Sequence, residues 1–193
     1  HGRHMGVASN YLSHLSIDDM VQIAVRPSHA AFQLPLTPEA TPIICIAAGT
    51  GIGPFRGFIQ ERSVQISTGR RLAPALLFFA CLGHADDLYR DEFDRYEEQG
   101  VVVVKRAYSR EMHSDEVAGC KYIQDRLLKD KKEVGDLWEK GAKIFVCGGQ
   151  EMGHAVEQAC IEMLRDMREL TLEEAKELLE KCRNERFSMD VFT

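Results

Sequence analysis

The feature that most restricts how this chain can fold is an alternation. Apolar runs recur as "IICIAA" (43–48), "ALLFFAC" (75–81), "VVVVKRAY" (101–108) and "KIFVCG" (143–148), separated by segments of helical pattern. Runs of this kind without polar alternation are buried on both faces, as parallel strands are when helices cover the two sides of their sheet. Between them, apolar residues repeat every three or four positions. Phe55, Phe58 and Ile59 mark the first helix; Leu88, Tyr89, Phe93 and Tyr96 mark the second, closed by Gly100. Tyr122, Ile123, Leu127 and Leu128 mark a third, and Val134, Leu137 and Trp138 follow before Gly141. The clearest stripe is Met152, Ala155, Val156, Ala159, Cys160, Met163 and Met167. A capping box from Thr171 to Glu174 then opens a helix that buries Ala175, Leu178, Leu179 and Cys182. With a last short strand at "SMDVF" (188–192), the expected fold is α/β, a doubly wound five-stranded parallel sheet.

Residues 6–38 stand outside the alternation. "MVQIAVRP" (20–27) alternates in part, as an antiparallel strand does, and "LPLTPEATP" (34–42) reads as a proline-rich connector. The expected division is 1–38, the end of a preceding domain, and 39–193, the alternating domain; "HGRHM" (1–5) reads equally as a cloning remnant or a native loop. A net charge of −6 argues against a nucleic-acid partner, which needs a basic face. Six cysteines without a C-x-x-C pair point to reduced thiols in a cytoplasmic setting, and seven histidines without ligand spacing point to no metal site. No apolar run approaches the length of a bilayer-spanning helix.

The stretch "AAGTGIGPFRGF" (47–58) places glycines 49, 51 and 53 and Pro54 directly after the first apolar run. In an open parallel sheet, ligands sit beyond the carboxyl ends of the strands, where helices begin. Glycines there let backbone approach a ligand, Pro54 suits the first turn of a helix, and the free amides of that turn favour phosphate or carboxamide oxygens. Neither the phosphate-binding loop G-x-x-x-x-G-K-[ST] nor the three-glycine dinucleotide fingerprint is present, because Pro54 takes the last place of the latter. By these residues alone the turn reads as a nucleotide site, or as a tight turn whose glycines serve packing.

"GTGIGPFRGFIQER" (49–62) closely resembles the nicotinamide-binding segment of the ferredoxin–NADP reductase superfamily, above all its diflavin branch. "ACLGHADDLYRDEF" (80–93), "AYSRE" (107–111), "YIQDRL" (122–127), "VCGG…MGHAVE" (146–157) and "RFSMDVF" (186–192) match in order, and "GVASNYL" (6–12) is similar to the family's flavin-pyrophosphate segment. Within that branch the chain is similar to the C-terminal end of fungal self-sufficient fatty-acid hydroxylases, in which a haem monooxygenase and its diflavin reductase share one chain. The resemblance implies a Rossmann-like NADPH-binding domain over 39–193, preceded by a remnant of an FAD-binding β-barrel over 1–38. It implies hydride transfer from NADPH to FAD and onward through FMN to haem. FAD, FMN and haem are expected in the full-length protein and not in this fragment. A reductase serving another acceptor, such as sulfite reductase, or a nucleotide-binding regulatory module without redox chemistry, are the other readings.

The same resemblance implies roles for individual residues. Gly49, Thr50, Gly51, Gly53 and Pro54, with Gly148 and Met152, would cradle the dinucleotide. Ser109 and Arg110 would hold the phosphate on the adenosine ribose, beside Lys121 and Tyr122; read alone, they are an ordinary surface loop. Cys147 would lie beside the nicotinamide carbon that gives up hydride; alone, it reads equally as a small buried hydrophobe. Asp190 would position nicotinamide and thiol, and Phe192 would stack on the flavin, unless it only plugs the core. Gly6, Val7, Ala8 and Ser9 would touch the flavin pyrophosphate. Thr50, Ser109, Cys147 and Asp190 are thereby expected in one cleft. The chain departs from the family's pattern at Leu82 and Cys120, where basic residues are usual, and at Gly149, where an acid is usual and whose role would pass to Glu151 or lapse. Phe192 stands where many relatives carry tryptophan, so easier displacement from the flavin is expected.

Overall fold

The computed structural model describes residues 6–25, 31–111, 113 and 115–192. Five parallel strands form one sheet: β1 (Ile43–Ala48), β2 (Ala75–Cys81), β3 (Val103–Tyr108), β4 (Lys143–Gly149) and β5 (Phe187–Phe192), in the order β3-β2-β1-β4-β5. A short α1 (Val7–Ser13) precedes them. The connecting helices are α2 (Gly53–Ser67), α3 (Arg90–Glu98), α4 (Ile123–Lys129), α5 (Lys131–Glu139), α6 (Gln150–Arg168) and α7 (Leu172–Lys181).

Side chains alternate along each strand, so the continuous apolar runs supply two cores. Ile44, Ile46, Ile144 and Val146 face α4, α5, α6 and α7, meeting Leu127, Trp138, Val156 and Leu179. Ile43, Cys45, Phe145 and Cys147 face α2 and α3, meeting Phe55, Ile59 and Phe93. The capping box forms as expected: Thr171 N donates to Glu174 Oε2 at 2.8 Å, and Glu174 N donates to Thr171 Oγ1. Several boundaries differ from the sequence pattern, two of them by more than one residue. Leu88 and Tyr89 lie before α3 rather than in it, since Tyr89 takes φ of 59° and the helix starts at Arg90. The third strand begins at Val103, because Val101 and Val102 complete the buried turn that leaves α3.

The segment before the sheet is of two kinds. Residues 20–25 form no strand, and 26–27 lie outside the described residues. A strand must pair, and among the described residues no strand pairs with that segment. Val7, Ile17, Met20, Ile23 and Val25 are all exposed, Ile17 at 95%. Phe32, by contrast, is buried, with ring centroids 5.4 Å from Phe145 and 5.9 Å from both Phe55 and Phe58. Ser188 Oγ donates to Ala31 O at 2.8 Å, which ties the same segment to β5.

Candidate functional site

Strand order reverses at β1: the chain runs outward through β2 and β3, then returns to place β4 on β1's other side. Turns after β1 and β4 therefore diverge, which opens a crevice at the carboxyl ends of the strands. The β1 turn is a single tight stretch, Gly49–Ile52, and α2 starts directly after it at Gly53, with Pro54 in its first turn. Gly49 has φ of 54°, a left-handed conformation that side chains resist. Gly51 lies against the end of β4, where a Cβ would collide with the Cys147 carbonyl. That glycine serves packing, whereas a Cβ on Gly53 would meet open space. The packing reading of the glycine turn thus holds at Gly51, while Gly53 faces open space.

Beside this turn lies an open cleft of about 770 Å³. Gly49 and Thr50 form one wall, Ser109 and the loop carrying Leu82, Asp86 and Leu88 a second. Lys121, Tyr122 and Gln124 at the start of α4 form a third, and Glu151 and Met152 at the start of α6 close it. The surface is mostly apolar with few polar groups, the usual make-up of a small-molecule site. Tyr122 is half exposed and offers a free aromatic face, with Lys121 Nζ 5.1 Å from its ring centroid. Its backbone N–H donates to Asp125 Oδ2 at 2.9 Å, which fixes the entry to α4. Lys121 is the cation of the cleft lining, against the carboxylates Asp86 and Glu151. Arg110 is exposed and lies next to Ser109 without lining the cleft; its N–H donates to Leu82 O at 2.9 Å.

The remaining expected site residues lie elsewhere. Cys147 is 4% exposed and belongs to the core on the α2 face, so alternation along β4 turns it away from the α4–α6 side. Asp190 is its register partner on β5, and exposed Phe192 pairs with Gly149 two residues on. Burial, and after it the charge of Asp190, pushes the Cys147 thiol up to about 11. It is therefore a neutral thiol at neutral pH. Thr50 and Ser109 share the cleft; Cys147 and Asp190 sit together at the neighbouring part of the same sheet edge. Gly148 follows Cys147 and packs against the Met152 side chain. Gly6, Val7, Ala8 and Ser9 lie at the start of α1 and line no part of the cleft.

Asp86, Leu88 and Gln124 line the cleft without having been singled out as site residues in the sequence. The signal for the first two was their place after β2, the strand next to the glycine turn. Among the described residues no group of acids, histidines and cysteines could hold a metal ion, and no helix is long and apolar enough to cross a membrane.

Comparison with known proteins gives a consistent picture. The model of the oxidoreductase NAD-binding domain family matches residues 45–158. A bifunctional cytochrome P-450/NADPH–P-450 reductase from Fusarium oxysporum is 51% identical over 99% of this chain. Self-sufficient cytochrome P-450 monooxygenases from Exserohilum turcicum and Phanerodontia chrysosporium are 50% and 43% identical over 84% and 97% of it. This chain spans only 18%, 15% and 18% of the length of those three relatives.

Proposed function

The chain belongs to the oxidoreductase NAD-binding domain family, and from that premise we propose that residues 39–193 bind NADPH for a diflavin reductase that feeds a haem monooxygenase. The observation that carries this reading is the cleft at the switch point of the sheet, where glycine backbone, the Ser109 hydroxyl, the Lys121 ammonium and the Tyr122 ring converge. These groups suit a phosphorylated dinucleotide: a ring to stack adenine, a hydroxyl and a cation for the ribose phosphate, and backbone without Cβ for the pyrophosphate. Arg110, just outside, would reach the same phosphate from solvent. The name of the Fusarium relative, which joins a cytochrome P-450 to its reductase, and that of the Exserohilum relative, a self-sufficient P-450 monooxygenase, support the monooxygenase as final acceptor.

Bound dinucleotide would supply hydride to a flavin. The protein's own contribution lies along the sheet edge. The turn at Gly49–Ile52 crosses the end of β4, so a ligand extending from the cleft passes Thr50 on its way to Cys147 and Asp190. A neutral Cys147 would orient the ring by contact without forming a bond, and Asp190 would fix its carboxamide. Phe192, exposed at the end of β5, would cover the flavin and move aside. Residues 1–38 would complete an FAD-binding domain; the exposed apolar side chains of 6–25 support this, while Phe32 packs on the sheet of the dinucleotide domain. FMN and haem would sit in further domains of the same cytoplasmic chain.

Titration with 2′-phospho-AMP and AMP tests the reading. The phosphorylated nucleotide is expected to bind at least about tenfold more tightly, given the strength of charge-assisted phosphate contacts. Ser109→Ala and Arg110→Ala should each erode that preference. Equal affinities in the unaltered protein would overturn the assignment.

A further inference from the structure

Beneath the cleft lies a buried ionic cluster that the binding residues do not include. Asp87 is 1% exposed at its side chain, and its Oδ2 accepts from Arg106 Nε at 2.8 Å, Tyr108 OH at 2.8 Å and Arg90 Nη1 at 3.0 Å. Arg90 also donates to the Tyr108 hydroxyl at 2.8 Å and to Glu116 Oε1 at 2.8 Å. Arg106 pairs further with Asp94 and Glu116. Arg126 on α4 donates to the carbonyls of Arg106 at 3.0 Å and Glu116 at 2.9 Å, and pairs with Asp130.

The positions of these residues matter more than their number. Asp87 stands between Asp86 and Leu88, which line the cleft; Tyr108 directly precedes Ser109; Arg126 is three residues after Ile123, at the start of α4. One set of buried and half-buried bonds therefore joins three segments that line two walls of the cleft: the loop after β2 and the end of β3, which share one wall, and the start of α4. A backbone bond from Ser109 N to Cys81 O at 3.0 Å and a bond from His84 N to the Glu111 side-chain Oε2 at 3.1 Å complete the clamp. A buried ion cluster is a poor device for stability alone, since desolvation offsets most of its attraction. Asp87 Oδ1 is even left buried without a partner.

We propose that Asp87, Arg106 and Tyr108, with Arg90, are positioning residues that hold the Ser109 wall at the distance which selects a 2′-phosphorylated nucleotide. This rests on the cleft being the dinucleotide site. The cluster touches no ligand itself; it acts through Ser109.

The test is a double-mutant cycle in the full-length protein that carries this chain. Tyr108→Phe removes one hydroxyl from the cluster and nothing from the cleft. It should weaken 2′-phospho-AMP binding by about tenfold while AMP binding changes by less than about twofold, within the range of coupling between neighbouring groups. In a Ser109→Ala background the same substitution should have no further effect. Should Tyr108→Phe fail to fold, Glu116→Gln, on the outer side of the cluster, serves as the second probe with the same expectations. Additive effects of the two substitutions, or equal weakening of both nucleotides, would overturn the proposal. Absence of any preference for 2′-phospho-AMP in the unaltered protein would instead remove the cleft reading, and this inference with it.

Discussion

Cys147 offers a measurement that separates a contact role from a covalent one. Its thiol is pushed up to about 11, first by burial and then by the Asp190 carboxylate across the β4–β5 register. The ordinary value from which it is raised is 9.0. At pH 7.5 the difference leaves on the order of 100-fold less thiolate than an exposed cysteine would hold. Only the thiolate is alkylated, and 4% exposure slows attack further. Iodoacetamide labelling, read at Cys147 by peptide mass mapping from pH 7.5 upward, should therefore rise about tenfold per pH unit until near pH 11. Asp190→Asn should lower that inflection only in part, because burial is the larger cause. The sign for stability follows: the protonated thiol is favoured in the fold, so its contribution is complete below the unfolded value and lost as pH rises towards about 11. Fast labelling at pH 7.5, or an inflection near that of a free thiol, would refute a neutral Cys147 and reopen nucleophilic chemistry.

Two substitutions test the frame around the site. Phe32→Ala removes one ring from a buried set of four and should cost about 3–5 kcal/mol in urea unfolding; a loss below about 1 kcal/mol would mean that the connector does not fold onto the sheet. Gly51→Ala must push the β1 turn off the Cys147 carbonyl. It should destabilise by about 1–3 kcal/mol and weaken nucleotide binding at Thr50, and unchanged values of both would show that the turn has room to spare.

The elements were legible in the order of residues because their causes are local. "IICIAA" and "ALLFFAC" are strands wherever both faces can be covered, the seven-residue stripe from Met152 to Met167 is a helix, and Thr171 with Glu174 starts one. The edge of the sheet that carries the cleft was also legible, since glycines 49–53 end the first strand. A local pattern misled at residues 20–25, whose partial alternation yields no strand, because pairing depends on a neighbour and not on the segment itself. Distance along the chain also hid the buried cluster: Asp87, Arg106 and Glu116 belong to three separate segments, and nothing but folding brings their charges within 3.2 Å.

Strand order decided the rest. Placing β4 beside β1 brought Gly51 against Cys147, and placing β5 beside β4 set Asp190 across from the thiol. It also parted residues that the sequence grouped, because alternation along β4 sends Cys147 to the α2 face while Ser109 and Thr50 open on a cleft walled by α4 and α6. Residue types and periodicities determined that this chain would be a parallel α/β domain with a glycine turn at one edge of its sheet. Which side chains meet at that edge, and how strongly burial holds Cys147 neutral, came from packing between segments distant in sequence.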